Sequence, residues 1–214
     1  MPIKPVPLQS LKSPTFLSVG LALALLVSSG VWWVAAKYAS DDNAVRIPPR
    51  VCDERISGES VSALLPKKGA DFEEETRDLK QIRGHGECTL RAGGEDAFFS
   101  YIYVPGSTYP RDRVQLHGVP ISLGEAYGYM AANHAMLLYV PCTDQKTTDR
   151  MLVKASSSLA DQEANSSRDR AKPVTGDAKV AAFAADVARD LARNWIKCPN
   201  ADKLPEGPVK IHWP

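Results

Sequence analysis

Four cysteines, Cys52, Cys88, Cys142 and Cys198, and four histidines, His85, His117, His134 and His212, are the side chains most suited to chemistry in this chain of 214 residues. Thiolates and imidazoles bind zinc, but structural zinc hooks place two cysteines with only about two to four residues between them. Successive cysteines here lie 36, 54 and 56 positions apart, so two disulfides are the expected use. No histidine stands in H-E-x-x-H, which excludes the helical zinc-protease pattern. His85-Gly86-Glu87 followed by Pro141-Cys142 approaches the zinc-deaminase pattern of H-x-E and P-C-x-x-C, but Gln145 stands where the second cysteine is needed.

The other chemistries fare no better. Ser122 lies in Pro120-Ile121-Ser122-Leu123-Gly124, which is not a G-x-S-x-G nucleophile elbow. With all four cysteines expected in disulfides, a Cys–His nucleophile is not expected. Gly84-His85-Gly86 lacks the third glycine and following helix of a phosphate-cradling loop, so His85 reads as a loop residue. His134, beside Asn133, reads as a turn or partly buried histidine. Asp71, Glu73, Glu74, Glu75 and Asp78 cluster without the alternating ligands, central glycine and terminal glutamate of a calcium loop; a solvated loop or helix face over residues 67–83 is expected. Phe98, Phe99, Tyr101, Tyr103, Tyr127, Tyr129 and Tyr139 suit a ligand groove, or more simply a sheet core with tyrosines at its rim. No catalytic residue, metal site or cofactor is assigned from these residues.

The setting of these residues follows from residues 16–36, an uncharged run of 21 interrupted only by Ser18, Gly20, Ser28, Ser29 and Gly30. As a helix it is about 31 Å long, the thickness of a bilayer's hydrocarbon core. A cleaved signal peptide ending near Ala36 is the alternative, but the apolar run is long for one, and Trp32-Trp33 suits the membrane interface better than a cleavage site. Lys4 and Lys12 with no acid before the run place the N-terminus in the cytoplasm, so the C-terminal bulk is exported in either case. Beyond Ala36 the chain keeps 24 of its 26 Lys and Arg and all 25 Asp and Glu, a net charge of −1. Such a balance gives no electrostatic grip on nucleic acid and no polybasic patch for anionic lipid.

The expected organisation is a cytoplasmic tail (1–15) broken by prolines, a single-pass signal-anchor (16–36), a polar stalk (37–50), an extracytoplasmic domain (51–198) and an extended tail (199–214). Within the domain, Ile56, Val61, Leu64 and Leu65 have helical spacing, with Ser57 as cap and Pro66 as stop. Residues 88–92 alternate, Gly93-Gly94 turns, and residues 96–104 return as a central strand, with Arg91 facing Asp96 and Leu90 facing Ala97. Residues 135–140 read as a buried strand ending at Pro141-Cys142, and residues 151–155 as another. Residues 156–176 read as a loop. Asp177 caps a long helix that places Val180, Ala184, Val187, Leu191 and Trp195 on one stripe and ends at Pro199. The fold class is α+β: an antiparallel sheet of about four or five strands, packed by a short N-terminal and a long C-terminal helix. Three disulfide connectivities are possible; the elements favour Cys52–Cys88, from first helix to first strand, and Cys142–Cys198, from strand end to helix end.

This order, resting on Cys52, Cys88, Ser122-Leu123-Gly124, Pro141-Cys142 and Cys198, resembles small exported domains of actinobacteria, such as those of uncharacterised Streptomyces membrane proteins, and more distantly lipoprotein and kinase-sensor ectodomains. The chain lacks a lipobox cysteine and a kinase domain, so neither lipidation nor signalling in cis follows. The resulting expectation is a membrane-anchored binding or sensing module of the cell envelope, its partner an unspecified envelope protein or ligand. One alternative is an accessory subunit packing through Gly20, Ala24 and Ser28, a small-xxx-small face on the anchor. The other is an exported hydrolase whose site gathers a histidine beside an acid or serine.

Overall fold

The computed structural model describes residues 43–79, 84–105, 108–142, 149–166 and 173–214. The run expected as an anchor, residues 16–36, with Gly20, Ala24 and Ser28, lies outside them; among the described residues no helix is long and apolar enough to cross a membrane.

Two short strands, β1 (Arg50–Val51) and β2 (Ile56–Ser57), bracket a tight turn at Cys52 and lead into helix α1 (Gly58–Ser62). Ser57 caps α1 by accepting from the Glu59 N–H, satisfying a donor that the helix itself leaves open. The main sheet comprises β3 (Glu73–Arg77), β4 (His85–Ala92), β5 (Glu95–Pro105), β6 (Val119–Leu123), β7 (Ala126–Met130), β8 (Met136–Pro141), β9 (Asp149–Ser157) and β10 (Lys210–Ile211). Every neighbouring pair is antiparallel, and the spatial order is β10-β6-β7-β8-β9-β5-β4-β3. Two meanders, β3–β5 and β6–β9, therefore join where β9 pairs with β5. The Gly93-Gly94 hairpin has the expected register, Arg91 opposite Asp96 and Leu90 opposite Ala97, and β5 lies inside the sheet.

Eight strands stand where about four or five were expected. The charged residues 73–77, expected as a loop or helix face, form β3 at the sheet edge, where charge discourages pairing with another chain. Charge had masked a strand because an edge needs little apolar content. Residues 119–130 form the β6–β7 hairpin, its turn closed by Gly124 at φ +60°. Residues 156–166 are likewise ordered: β9 runs to Ser157, and helix α3 (Ser158–Ser166) follows, burying Ala160 and Ala164.

One sheet face is closed by helix α4 (Thr175–Arg189). Strand alternation sends Leu90, Phe99, Tyr101, Leu138 and Val153 toward it, and Val180, Phe183, Ala184 and Val187 meet them, all buried. Full burial of each larger aliphatic or aromatic side chain contributes roughly 1.5–3 kcal/mol. Phe99 and Phe183 meet edge to face at 6.3 Å, and Tyr101 and Trp195 at 5.4 Å. Asp177 is the third helical residue rather than the cap; its Oδ2 accepts the Val174 N–H at 2.8 Å. Nor does an unbroken α-helix reach Pro199. Asp190–Trp195 is a π-helix, whose wider turn departs from the α-helical spacing of the stripe that starts at Val180. Cys198 instead reaches its partner through a left-handed residue, Lys197 (φ +59°), with its N–H donating to Ala192 O. The disulfides join Cys52 to Cys88 and Cys142 to Cys198.

The folded unit runs from Asp42 to Pro214. Val45 and Ile47, in the stretch read as stalk, pack against the core, and the Val45 N–H donates to Lys67 O. The C-terminal stretch read as an extended tail forms a strap instead: Ala201, Leu204 and Val209 are buried, and β10 borders β6. Arg189 donates to Pro205 O and Gly207 O, and Arg193 to Ala201 O and Leu204 O, so two helix guanidiniums hold it.

Candidate functional site

The second face of the sheet carries the more unusual chemistry. The registers align one continuous row across seven strands: His85, Ile102, Leu152, Tyr139, Tyr127, Ser122 and Lys210, each opposite the next. A second row runs Glu87, Ser100, Lys154, Leu137, Tyr129 and Pro120. These side chains point away from α4, because their neighbours in each strand point toward it.

A short cover lies over the Tyr127 end. Helix α2 (Arg111–Val114) and the following 3-10 turn (Gln115–His117) place buried Val114 against Tyr127 and Tyr139. Tyr127 and Tyr139 stack at 5.9 Å with an 18° tilt, and Tyr109 meets Tyr139 at 5.4 Å. The Tyr127 hydroxyl donates to Tyr109 O at 2.6 Å, tying the cover to the sheet. Burial, reinforced by Tyr129, Tyr109 and Tyr127, pushes the Tyr139 phenol up to about 12. Burial also raises Tyr127, against the lowering influence of Arg150 and Arg111. Both phenols are therefore hydrogen-bond donors at neutral pH.

Beyond the cover the face is open. Ile102 is 47% exposed, Phe98, Leu137 and Leu152 are half-buried, and Leu116 on the cover is 84% exposed. Around Leu152 and Tyr127 the charges are Arg150 and Lys154 on β9 and Arg111 and Arg113 on α2, which also carries Asp112, with Lys210 on β10 at the end of the row; toward β3 the face carries Glu87, Glu75 and Asp96, with Arg77 paired to Glu87 and Arg91 to Glu75. Arg150 lies over the Tyr127 ring at 4.7 Å and Lys154 near Phe98 at 5.6 Å, so aromatic faces hold the cations in place. The alternation of Arg150, Leu152 and Lys154 with Met151, Val153 and Ala155 already carries this pattern in the sequence. The aromatics divide: Phe99 and Tyr101 belong to the core beneath α4, while Phe98, Tyr127, Tyr129 and Tyr139 belong to the open side.

The histidines are not gathered. His85 sits 3.1 Å from Asp78 on the surface, and His117 lies against Tyr129. His134, expected in a turn or partly buried, is in a turn at φ +59° and is 1% exposed, its Nδ1 2.5 Å from Asp177 Oδ1. That pair pins the β7–β8 turn to the start of α4, out of reach of a substrate. Ser122 Oγ lies 2.8 Å from His212 Nε2, a serine–histidine contact of hydrolase type. Among the described residues no carboxylate pairs with His212, and its backbone N–H donates to Pro120 O, so the contact latches the strap. No group of three potential metal ligands occurs among the described residues, and Cys142, of the deaminase-like pattern, is in a disulfide. A hollow of about 290 Å³ beside Ser60, Asp186 and Arg189 opens on the other side of the molecule, but its guanidiniums are engaged, Arg189 and Arg193 by the strap and Arg50 by Glu54 O and Arg55 O.

No family model, curated protein or solved structure matches the chain.

Proposed function

We propose that this chain is a membrane-anchored binding module of the cell envelope, with the open sheet face as its contact surface. The observation that carries the reading is the row from Ile102 through Leu152 to Tyr139 and Tyr127, apolar, partly uncovered and flanked by Arg150 and Lys154. Apolar side chains left on one side of a sheet with fixed cations beside them suit a partner that brings both apolar groups and negative charge. Two disulfides suit the oxidising side of a membrane, and residues 16–36 supply the anchor.

The test is a photo-crosslinking residue at Ile102 in the full chain in its own membrane, compared with one at Ala178, exposed on α4. The expected result is a single adduct at Ile102 that weakens in Lys154→Glu and is absent at Ala178. No adduct at Ile102, or the same adducts at both positions, refutes the reading.

A further inference from the structure

We propose that Arg111 and Arg150 form an oxyanion subsite at the Tyr127 end of the open face, receiving a phosphate or carboxylate borne by the ligand. The proposal rests on the binding reading above and names the chemistry of one part of the ligand. Both guanidiniums address the same ring: Arg150 lies 4.7 Å and Arg111 5.6 Å from the Tyr127 centroid. The ring is itself fixed, stacked on Tyr139 and tethered by its hydroxyl to Tyr109.

Neither guanidinium has a hydrogen-bond or ion-pair partner among the described residues. Asp112, adjacent to Arg111 in the chain and near enough to influence Tyr127, pairs with neither. The Arg150 Nε–H is buried without an acceptor. A guanidinium whose buried donor finds no acceptor in the fold is incompletely compensated, and an anion at its remaining N–H groups offsets that. The other arginines with buried donors differ in kind. Arg189 and Arg193 are satisfied by strap carbonyls, and Arg55 lies over Trp195 with no second guanidinium on that ring.

Two cations at one ring repel each other, and the ring's negative face offsets only part of that repulsion. An oxyanion between them removes it and matches the planar donor fork of a guanidinium. Tyr109, 37% exposed, and Val104 border the place, so the body attached to the oxyanion meets apolar surface. Arg150 lies opposite Val104 and Pro141, which puts the subsite at one end of the open rows and directs the rest of the ligand toward Leu152 and Ile102.

The experiment uses the full chain in detergent micelles, with inorganic phosphate in one arm and acetate in the other. Chloride keeps ionic strength constant, and the readouts are the unfolding temperature and calorimetric titration. Saturable binding is expected in at least one arm, and the stronger arm identifies the anionic group. Affinity is expected to fall at least tenfold in Arg150→Gln and several-fold in Arg111→Gln, which is exposed and spares the fold. It is expected to be unchanged in Arg91→Gln, whose side chain pairs with Glu75 near the far edge. No saturable binding in either arm, or equal affinity in Arg150→Gln, overturns the subsite. The Ile102 crosslink, repeated in Arg150→Gln, keeps the two readings apart: absent anion binding with the adduct retained removes the subsite alone. Intact anion binding with no adduct in the unaltered chain supports the subsite and counts against the wider contact surface.

Discussion

Removing one disulfide at a time measures how far the fold depends on its two crosslinks. Cys52–Cys88 closes a loop of sequence separation 36, and Cys142–Cys198 one of 56. Loop closure in the unfolded chain then gives about 3.8 kcal/mol for the first and about 4.2 kcal/mol for the second. The logarithm compresses the difference between them to about 0.4 kcal/mol. The two loops do not overlap along the chain, so the effects add to about 8 kcal/mol, within the range of a domain's whole stability. Cys142→Ala/Cys198→Ala and Cys52→Ala/Cys88→Ala are therefore each expected to lower stability by about 4 kcal/mol. The variant lacking both is expected to sit near its unfolding threshold. Urea unfolding of the full chain in micelles, followed by tryptophan fluorescence, supplies the assay. The slope against urea should rise in each variant, because an unfolded chain without its crosslink exposes more surface. Any excess loss in the Cys52–Cys88 variant reports packing, since both of its cysteines are fully enclosed whereas Cys142 and Cys198 lie nearer the surface. A loss below about 1 kcal/mol for either pair, with an unchanged slope, refutes the loop-entropy reasoning.

Asp177→Ala leaves buried His134 without its carboxylate and the Val174 N–H without its acceptor, so a loss of about 3–5 kcal/mol is expected in urea; a loss under about 1 kcal/mol would show that the pair is dispensable. Gly128→Ala places a methyl carbon 1.8 Å from Leu137 O, so β7 and β8 should no longer pair and the folded yield should collapse. Gly94→Ala meets nothing within 4 Å and should cost only the left-handed strain of about 1–2 kcal/mol; circular dichroism and yield separate the two. Tyr139, pushed up to about 12, should keep its proton when exposed tyrosines ionise, so phenolate absorbance should show a late-titrating fraction missing from Tyr139→Phe. Its folded value lies above its unfolded one, near 10.0, so the folded state holds the extra proton and stability falls as pH rises between the two values; a midpoint in urea that stays level across that window contradicts this.

Much of the architecture was legible because it is local. Alternation and a Gly-Gly turn specify the β4–β5 hairpin, since a period of two puts Leu90 and Phe99 on one face whatever surrounds them. The stripe from Val180 to Leu191 likewise specifies a helix with one buried side. Cysteine spacing alone excludes a zinc hook. Less was legible where the stabilising contacts come from afar. Glu73–Arg77 has no strand pattern of its own and is ordered by pairing with β4 and by Glu74 accepting from the Asp53 N–H. The strap is ordered by Arg189 and Arg193, whose carbonyl partners lie far enough along the chain that no local period announces them.

The same division holds for the candidate site. Sequence alone determined the apolar run, the near-neutral charge of the part beyond it, the paired-cysteine chemistry and the alternation that sets Arg150, Leu152 and Lys154 on one face of a strand. Only the tertiary structure decided which strand lies beside which, and hence that Ile102, Leu152, Tyr139, Tyr127 and Ser122 form one row. It also decided that one sheet face is closed by α4 while the other keeps its cations and half-exposed apolar side chains. The reason is physical: side-chain direction within a strand follows from covalent geometry, whereas neighbourhood between strands is settled by the whole chain's competition to bury its apolar surface.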